Sequence, residues 1–102
     1  MYKIELSPGA EQQLEDLFRM ISLESGFERA RNFVGSIVTY CKGFDTFPAR
    51  GAMRDDIRPG IRIVGFKRRV SIAFTIEGDT VVFLGIFYGG QDFEAALRDK
   101  AT

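Results

Sequence analysis

The sequence predicts an α+β fold in which a helical hairpin packs on one face of a mostly antiparallel sheet. Residues 2–6 alternate apolar and polar side chains, which is typical of a strand with one buried face. Residues 7–42 carry two apolar stripes at helical spacing, and residues 57–88 carry three runs rich in β-branched and aromatic residues. The predicted order is an N-terminal strand, a helical hairpin, a three-stranded antiparallel meander and a short C-terminal helical tail, in a single domain over residues 1–102.

The helical hairpin has start signals at both of its helices. Ser7 is suited to the N-cap of the first helix and Pro8 to its first position. Ser25 and Glu28 have the spacing of a capping box, which predicts the start of the second helix. Gly43 is expected to end that helix, because glycine commonly follows the last helical turn.

The C-terminal half is predicted as a loop followed by the meander. Residues 43–56 look like a loop, and three strands follow it over residues 57–66, 70–77 and 80–88. The turns between them, residues 67–69 and 78–79, are so short that neighbouring strands must run antiparallel. Residues 92–100 are expected to form one or two helical turns.

Composition excludes several classes of chemistry. Lys+Arg and Asp+Glu are both 14, and this zero net charge does not indicate a chain-wide attraction to nucleic acid. There is no histidine, so Ser-His-Asp and Cys-His catalysis and any His-bearing metal site are excluded. The single cysteine, Cys41, cannot form an internal disulfide and is expected in the core. With no apolar run long enough for a membrane span and no signal peptide, we expect a cytoplasmic protein without a cofactor.

The last strand ends in an unusual stretch, FLGIFYGGQDFEAAL, over residues 83–97. Gly89 and Gly90 lack the spacing and the Lys-Ser/Thr of a phosphate loop, so they are interpreted as a sharp turn after a half-buried Tyr88. As a general acid or base, Tyr88 would need a strongly shifted pKa. Gly65 and Gly85 lie inside predicted strands, where glycine indicates either a bulge or a groove approached by a ligand.

A basic segment precedes and spans the first meander turn. Residues 54–69 carry six Lys or Arg side chains against two Asp. Arg58 and Arg62 are four apart and would share a strand face, although Pro59-Gly60 is expected to disturb the register. This segment is either a solvated face whose arginine stems cover apolar surface, or a clamp for a phosphate or carboxylate.

Taken in order, these motifs resemble the ParE/RelE toxin superfamily of bacterial type II toxin–antitoxin systems, and they are closer to the ParE (plasmid-stabilisation) branch. The resemblance covers nearly the whole chain. Its segments are YKIELSPGAEQQLEDL, ERARNFVGSI, FPARGAMRDDIRPGIRI and FLGIFYGGQD.

The resemblance implies a non-enzymatic toxin that inhibits DNA gyrase by binding it. It also implies a cognate antitoxin, whose disordered segment folds onto the toxin as a helix across the hairpin and a strand beside the sheet. The expected complex is a hetero-oligomer with no direct nucleic-acid contact and no membrane contact. The residues predicted to bind target or antitoxin are Arg58, Arg62, Tyr88, Gln91, Asp92 and Phe93.

Two alternatives stay open. The first is a RelE-like, ribosome-dependent messenger-RNA endoribonuclease that would use Arg62, Lys67, Arg68 and Tyr88. Against it, Tyr88 stands where many members of the superfamily have His, and Gly90 stands where many have Arg. The second alternative is a toxin-derived binding module without toxicity, which the loss of arginine at Gly90 also supports.

Overall fold

The computed structural model describes residues 1–99 as a five-stranded sheet with helices on both faces. In chain order the elements are β1 (Lys3–Leu6), α1 (Pro8–Ser25), α2 (Phe27–Lys42), a 3-10 turn (Gly43–Asp45), β2 (Ala52–Met53), β3 (Arg62–Phe66), β4 (Val70–Glu77), β5 (Thr80–Tyr88) and α3 (Phe93–Asp99). The strand order is β1-β5-β4-β3-β2; β1 is parallel to β5, and all other pairs are antiparallel. The predicted α+β arrangement is confirmed. The last residue of the tail predicted over 92–100 lies outside the described residues.

The start of α1 confirms the predicted capping. Ser7 Oγ accepts a hydrogen bond from the Ala10 N–H at 3.1 Å, and Pro8 occupies the first helical position. The Ser7 N–H donates to the Phe83 carbonyl, which fixes the start of the helix against β5. The buried stripe of α1 then packs on the sheet through Ala10, Leu14 and Leu17.

The capping box predicted between Ser25 and Glu28 is wrong. Ser25 is the last residue of α1, and a capping residue must lie outside the helix. The break is made by Gly26 alone, whose φ of 97° is accessible to glycine and whose N–H donates to the Ser22 carbonyl at 3.0 Å. Glu28 instead pairs with Arg31 at 3.3 Å on the exposed face of α2.

The main core lies between the hairpin and the sheet. Three fully buried rings meet at its centre, those of Phe44, Phe74 and Phe83, with centroids 5.0–5.5 Å apart. Cys41 is buried beside them, and desolvation raises the pKa of its thiol to about 12. Cys41 is therefore a protonated core residue, as predicted.

The first meander strand is shorter than the predicted 57–66. It covers Arg62–Phe66, because Pro59 has no N–H to donate and Gly60 adopts a φ of 83°. The Asp55 carboxylate holds this turn by accepting from the Gly60 N–H at 2.8 Å. The predicted loop over 43–56 is also wrong in part, because Ala52–Met53 forms the short edge strand β2 beside β3. Arg58 therefore lies in a turn and does not share a strand face with Arg62.

A β-bulge in β5 explains Gly85. Ala73 pairs with Gly85 and Phe74 pairs with Phe83, which leaves Leu84 as the extra residue. The Leu84 carbonyl accepts from Ser7 Oγ at 3.3 Å. Nearby, the Ile86 N–H donates to Gln13 Oε1 at 2.7 Å, so α1 satisfies backbone groups of β5 that have no strand partner on this side.

Alternating side chains of β5 enter two cores, and the bulge shifts this alternation by one residue. Phe83 and Ile86 face the helical hairpin, while Leu84 and Phe87 face the opposite side of the sheet. There they form a second, smaller core with the 57–61 turn, β4 and α3, through Ile57, Ile61, Ala73 and Leu97. Through this second core, α3 covers the sheet face that the hairpin leaves open.

Candidate functional site

The end of β5, the β3–β4 turn, the end of α1 and the start of α2 meet around an open pocket of about 430 Å³. We call it the corner pocket. The register that pairs Val70 with Tyr88 brings the turn beside the strand end. The residues that line the pocket include Glu24, Arg29, Asn32, Phe33, Lys67 and Tyr88.

Tyr88 is half-buried at the strand end, as the sequence predicted. Its ring packs edge to face on Phe33, with centroids 5.8 Å apart. Its N–H donates to Gln91 Oε1 at 2.8 Å, and the Gly89 N–H donates to the Arg69 carbonyl at 2.7 Å. Gly89 has a φ of 69°, so the interpretation of the glycine pair as a sharp turn is confirmed.

The β3–β4 turn is strained. Lys67 and Arg68 adopt φ angles of 52° and 63°, a left-handed conformation that costs about 1–2 kcal/mol per non-glycine residue. The turn holds the Lys67 ammonium 5.5 Å from the Phe66 ring centroid and 5.9 Å from that of Phe33. Tight hairpin turns commonly need such positive φ angles, and this turn carries Lys67 into the corner pocket.

Arg62 lies away from this corner. It begins β3, and its Nη1 donates to the Arg50 carbonyl at 3.4 Å. Phe66 follows it by four positions, which is about 13 Å along a strand. The structure therefore brings Lys67 and Tyr88 together, and it places Arg62 at the other end of β3.

The other residues predicted to bind a target make contacts within the chain. Arg58 Nη2 donates to the Leu97 carbonyl at 3.3 Å, and Asp92 Oδ1 caps α3 by accepting from the Ala95 N–H at 3.1 Å. Phe93 packs on Phe87, with centroids 6.1 Å apart. These contacts fix α3 on the sheet, while a binding role for Arg58, Gln91, Asp92 and Phe93 stays a prediction.

Comparison with known proteins decides the family. Residues 4–93 match the family model described as ParE toxin of type II toxin-antitoxin system, parDE. The chain belongs to the ParE toxin family. It is similar to Toxin ParE3 of Caulobacter vibrioides, with 29% identity over 87 residues that cover 85% of this chain and 86% of the relative. A solved structure described as a chromosomal ParDE TA system from P. aeruginosa has the same fold, with a TM-score of 0.77 and 24% identity over 87% of this chain and 97% of that one.

The match confirms the predicted ParE branch. Residues 4–93 run from the first strand to the start of α3, so the matched region includes the whole corner pocket of this ParE-family toxin. Among residues 1–99, no three Asp, Glu or Cys side chains are grouped so that they could hold a metal ion. Across the same residues, no helix is long and apolar enough to cross a bilayer.

A charged cluster that fixes α3 was not predicted. Arg54 Nη2 lies 2.8 Å from Asp56 Oδ2 and 2.6 Å from Glu94 Oε2, and Arg98 lies 3.9 Å from both carboxylates. The hydrogen bond from Arg54 lowers the pKa of Asp56 to about 2, and the same bond raises the pKa of Arg54. The spacing of Glu94 and Arg98 was a local signal, but nothing in the sequence links them to Arg54.

The outer surface of this toxin's helical hairpin carries an apolar groove of about 590 Å³, which we call the hairpin groove. It lies between α1 and α2, and Leu14, Phe18, Val34 and Val38 line it. At the open end of the hairpin, Leu23 is 83% exposed and Phe27 is 61% exposed. The two apolar stripes read from the sequence therefore cover the sheet on one side and leave apolar surface on the other.

Proposed function

We propose that this ParE-family toxin acts by binding DNA gyrase and that a cognate antitoxin neutralises it in the cytoplasm. The family match over residues 4–93 is the observation that carries the proposal. Cleavage of RNA needs a base, an acid and positive charge around one phosphate. The separation of Arg62 from Tyr88, in a chain without histidine, favours binding over cleavage.

The hairpin groove supports the antitoxin part of this proposal. An amphipathic helix binds a groove of this kind by inserting apolar side chains, and the half-buried Val34 and Val38 offer the matching surface. β2 pairs with only Arg62 and Ile63, so residues 64–66 of β3 have no ladder partner from β2. An antitoxin strand added there would complete the hetero-oligomer.

The test is gyrase supercoiling of relaxed plasmid with the purified chain titrated in, run beside ribosome-programmed cleavage of messenger RNA. We expect stalled supercoiling, trapped cleaved DNA and intact message. Cuts in the message with unaffected gyrase would instead establish the ribonuclease alternative. If the chain affects neither supercoiling nor the message, and a strain tolerates its overexpression without antitoxin, the chain would be a binding module without toxicity.

A further inference from the structure

The corner pocket gathers two cationic side chains, Arg29 and Lys67, against one carboxylate, Glu24. Within residues 1–99 the ion pairs engage Lys3, Arg19, Arg31, Arg54 and Arg98. Arg29 and Lys67 line the pocket without such a pair, and Arg68 and Arg69 follow in the exposed turn. Although the whole chain has zero net charge, cationic side chains therefore outnumber carboxylates at this corner.

The rest of the pocket is aromatic and polar. Phe33 and Tyr88 form one wall, and the left-handed turn holds the Lys67 ammonium near the Phe33 ring. Glu24 and Asn32 add a hydrogen-bond acceptor and an amide that can both donate and accept. A volume of about 430 Å³ lies within the ordinary range of roughly 300–1,000 Å³ for small-ligand sites.

We propose that the corner pocket binds one nucleotide of a single-stranded nucleic acid. Arg29 and Lys67 contact the phosphate, the Phe33–Tyr88 wall contacts the base, and Glu24 and Asn32 hydrogen-bond to its edge. With Glu24 included, the pocket side chains carry a net charge of +1, which matches one phosphodiester. An aromatic wall favours a base over an acidic peptide, because every base presents a π-face.

This inference does not rest on the gyrase proposal, and it revises the expectation of no direct nucleic-acid contact. The proposal concerns binding and involves no cleavage step. It is tested with the full 102-residue chain and a fluorescein-labelled oligothymidylate, by fluorescence anisotropy over a range of salt concentrations. Unlabelled oligouridylate, duplex DNA and polyglutamate serve as competitors.

We expect the single strand to bind and the oligouridylate to report any preference for RNA. Lys67→Gln should weaken binding and reduce the salt slope by about 0.7, the value for one phosphate contact on a single strand. Tyr88→Leu should weaken binding by about 5- to 150-fold, the range for one base–aromatic contact, whereas Tyr88→Phe should retain it. Lys42→Gln, which removes one exposed lysine at the far end of α2, is the matched control.

Three results of the binding assay would overturn the proposal: no binding by the wild-type chain, equal losses for Lys42→Gln and Lys67→Gln, or displacement by polyglutamate as effective as by the oligonucleotide. The last would assign the pocket to an acidic peptide. Thermal melts of every variant show whether it is folded. For the wild-type chain, NMR shifts on adding oligothymidylate should be centred on Phe33, Lys67 and Tyr88, and shifts centred elsewhere would also contradict the proposal.

Discussion

Gly85 is a position at which one added methyl group should disturb this fold. A Cβ built there would lie 2.5 Å from Phe87 Cε2 and 2.6 Å from Phe87 Cζ. The Phe87 ring is only 6% exposed and packs in the second core, so it cannot move away freely. Overpacking of this kind costs about 1–3 kcal/mol, and Gly85→Ala should lower the free energy of unfolding by that amount.

The assay is thermal and urea unfolding followed by circular dichroism, in which Tm should fall by roughly 4–8 °C for each kcal/mol. Gly65→Ala is the matched control, because the nearest atom to its Cβ would be the Val70 carbonyl oxygen at 4.0 Å. That variant should be neutral or stabilised by about 0.5–1 kcal/mol. Gly85→Ala combined with Phe87→Leu should recover part of the loss. A Gly85→Ala chain as stable as wild type would refute the placement of the Phe87 ring.

Four further expectations address the remaining elements. The pKa of Asp56 is lowered from 3.8 to about 2, so its carboxylate stabilises the fold above pH 3.8, and this contribution is lost as the pH falls through about 2. The Tm values of wild type and Asp56→Asn, measured across that range, should therefore converge at the acid end. Arg68→Gly should raise the free energy of unfolding in urea by about 1 kcal/mol, because glycine adopts the left-handed conformation without strain. Arg58→Ala should lower the free energy of unfolding by about 1–3 kcal/mol and increase hydrogen exchange in α3, because the contact with the Leu97 carbonyl is lost. Unchanged hydrogen exchange in α3 would contradict that role for Arg58. Arg62→Ala should weaken gyrase inhibition, with Arg31→Ala as control, and full toxicity with unchanged antitoxin binding would remove Arg62 from the interface.

The parts of the fold that the sequence predicted correctly depend on neighbouring residues. The Ser7 cap joins groups three residues apart, and the 67–69 and 78–79 turns follow from the short spacing between strands. The capping box at Ser25 failed although its spacing was right, because the single residue Gly26 was enough to break the helix. A local pattern identifies a possible cap and does not decide between two adjacent ones.

The features that were missed depend on distant partners. Ala52–Met53 has little strand signal of its own and becomes β2 only because β3 lies beside it. The bulge at Leu84 is decided by the registers with β1 and β4, and Arg54 meets Glu94 across 40 residues. At the corner pocket, Lys67 and Tyr88 were predicted from the meander, whereas Arg29 and Phe33 were not, because tertiary packing decides which helix residues meet a strand end.

Two glutamine side chains restrict where a foreign strand can pair with β5 of this toxin. β1 pairs only with residues 80–83 of β5, and the Ile86 and Tyr88 amides beyond it are bound by Gln13 and Gln91 side chains. A foreign strand that approached this side would have to displace both side chains before it could form a ladder. These two side chains therefore protect this part of β5 from edge-to-edge pairing with a foreign strand.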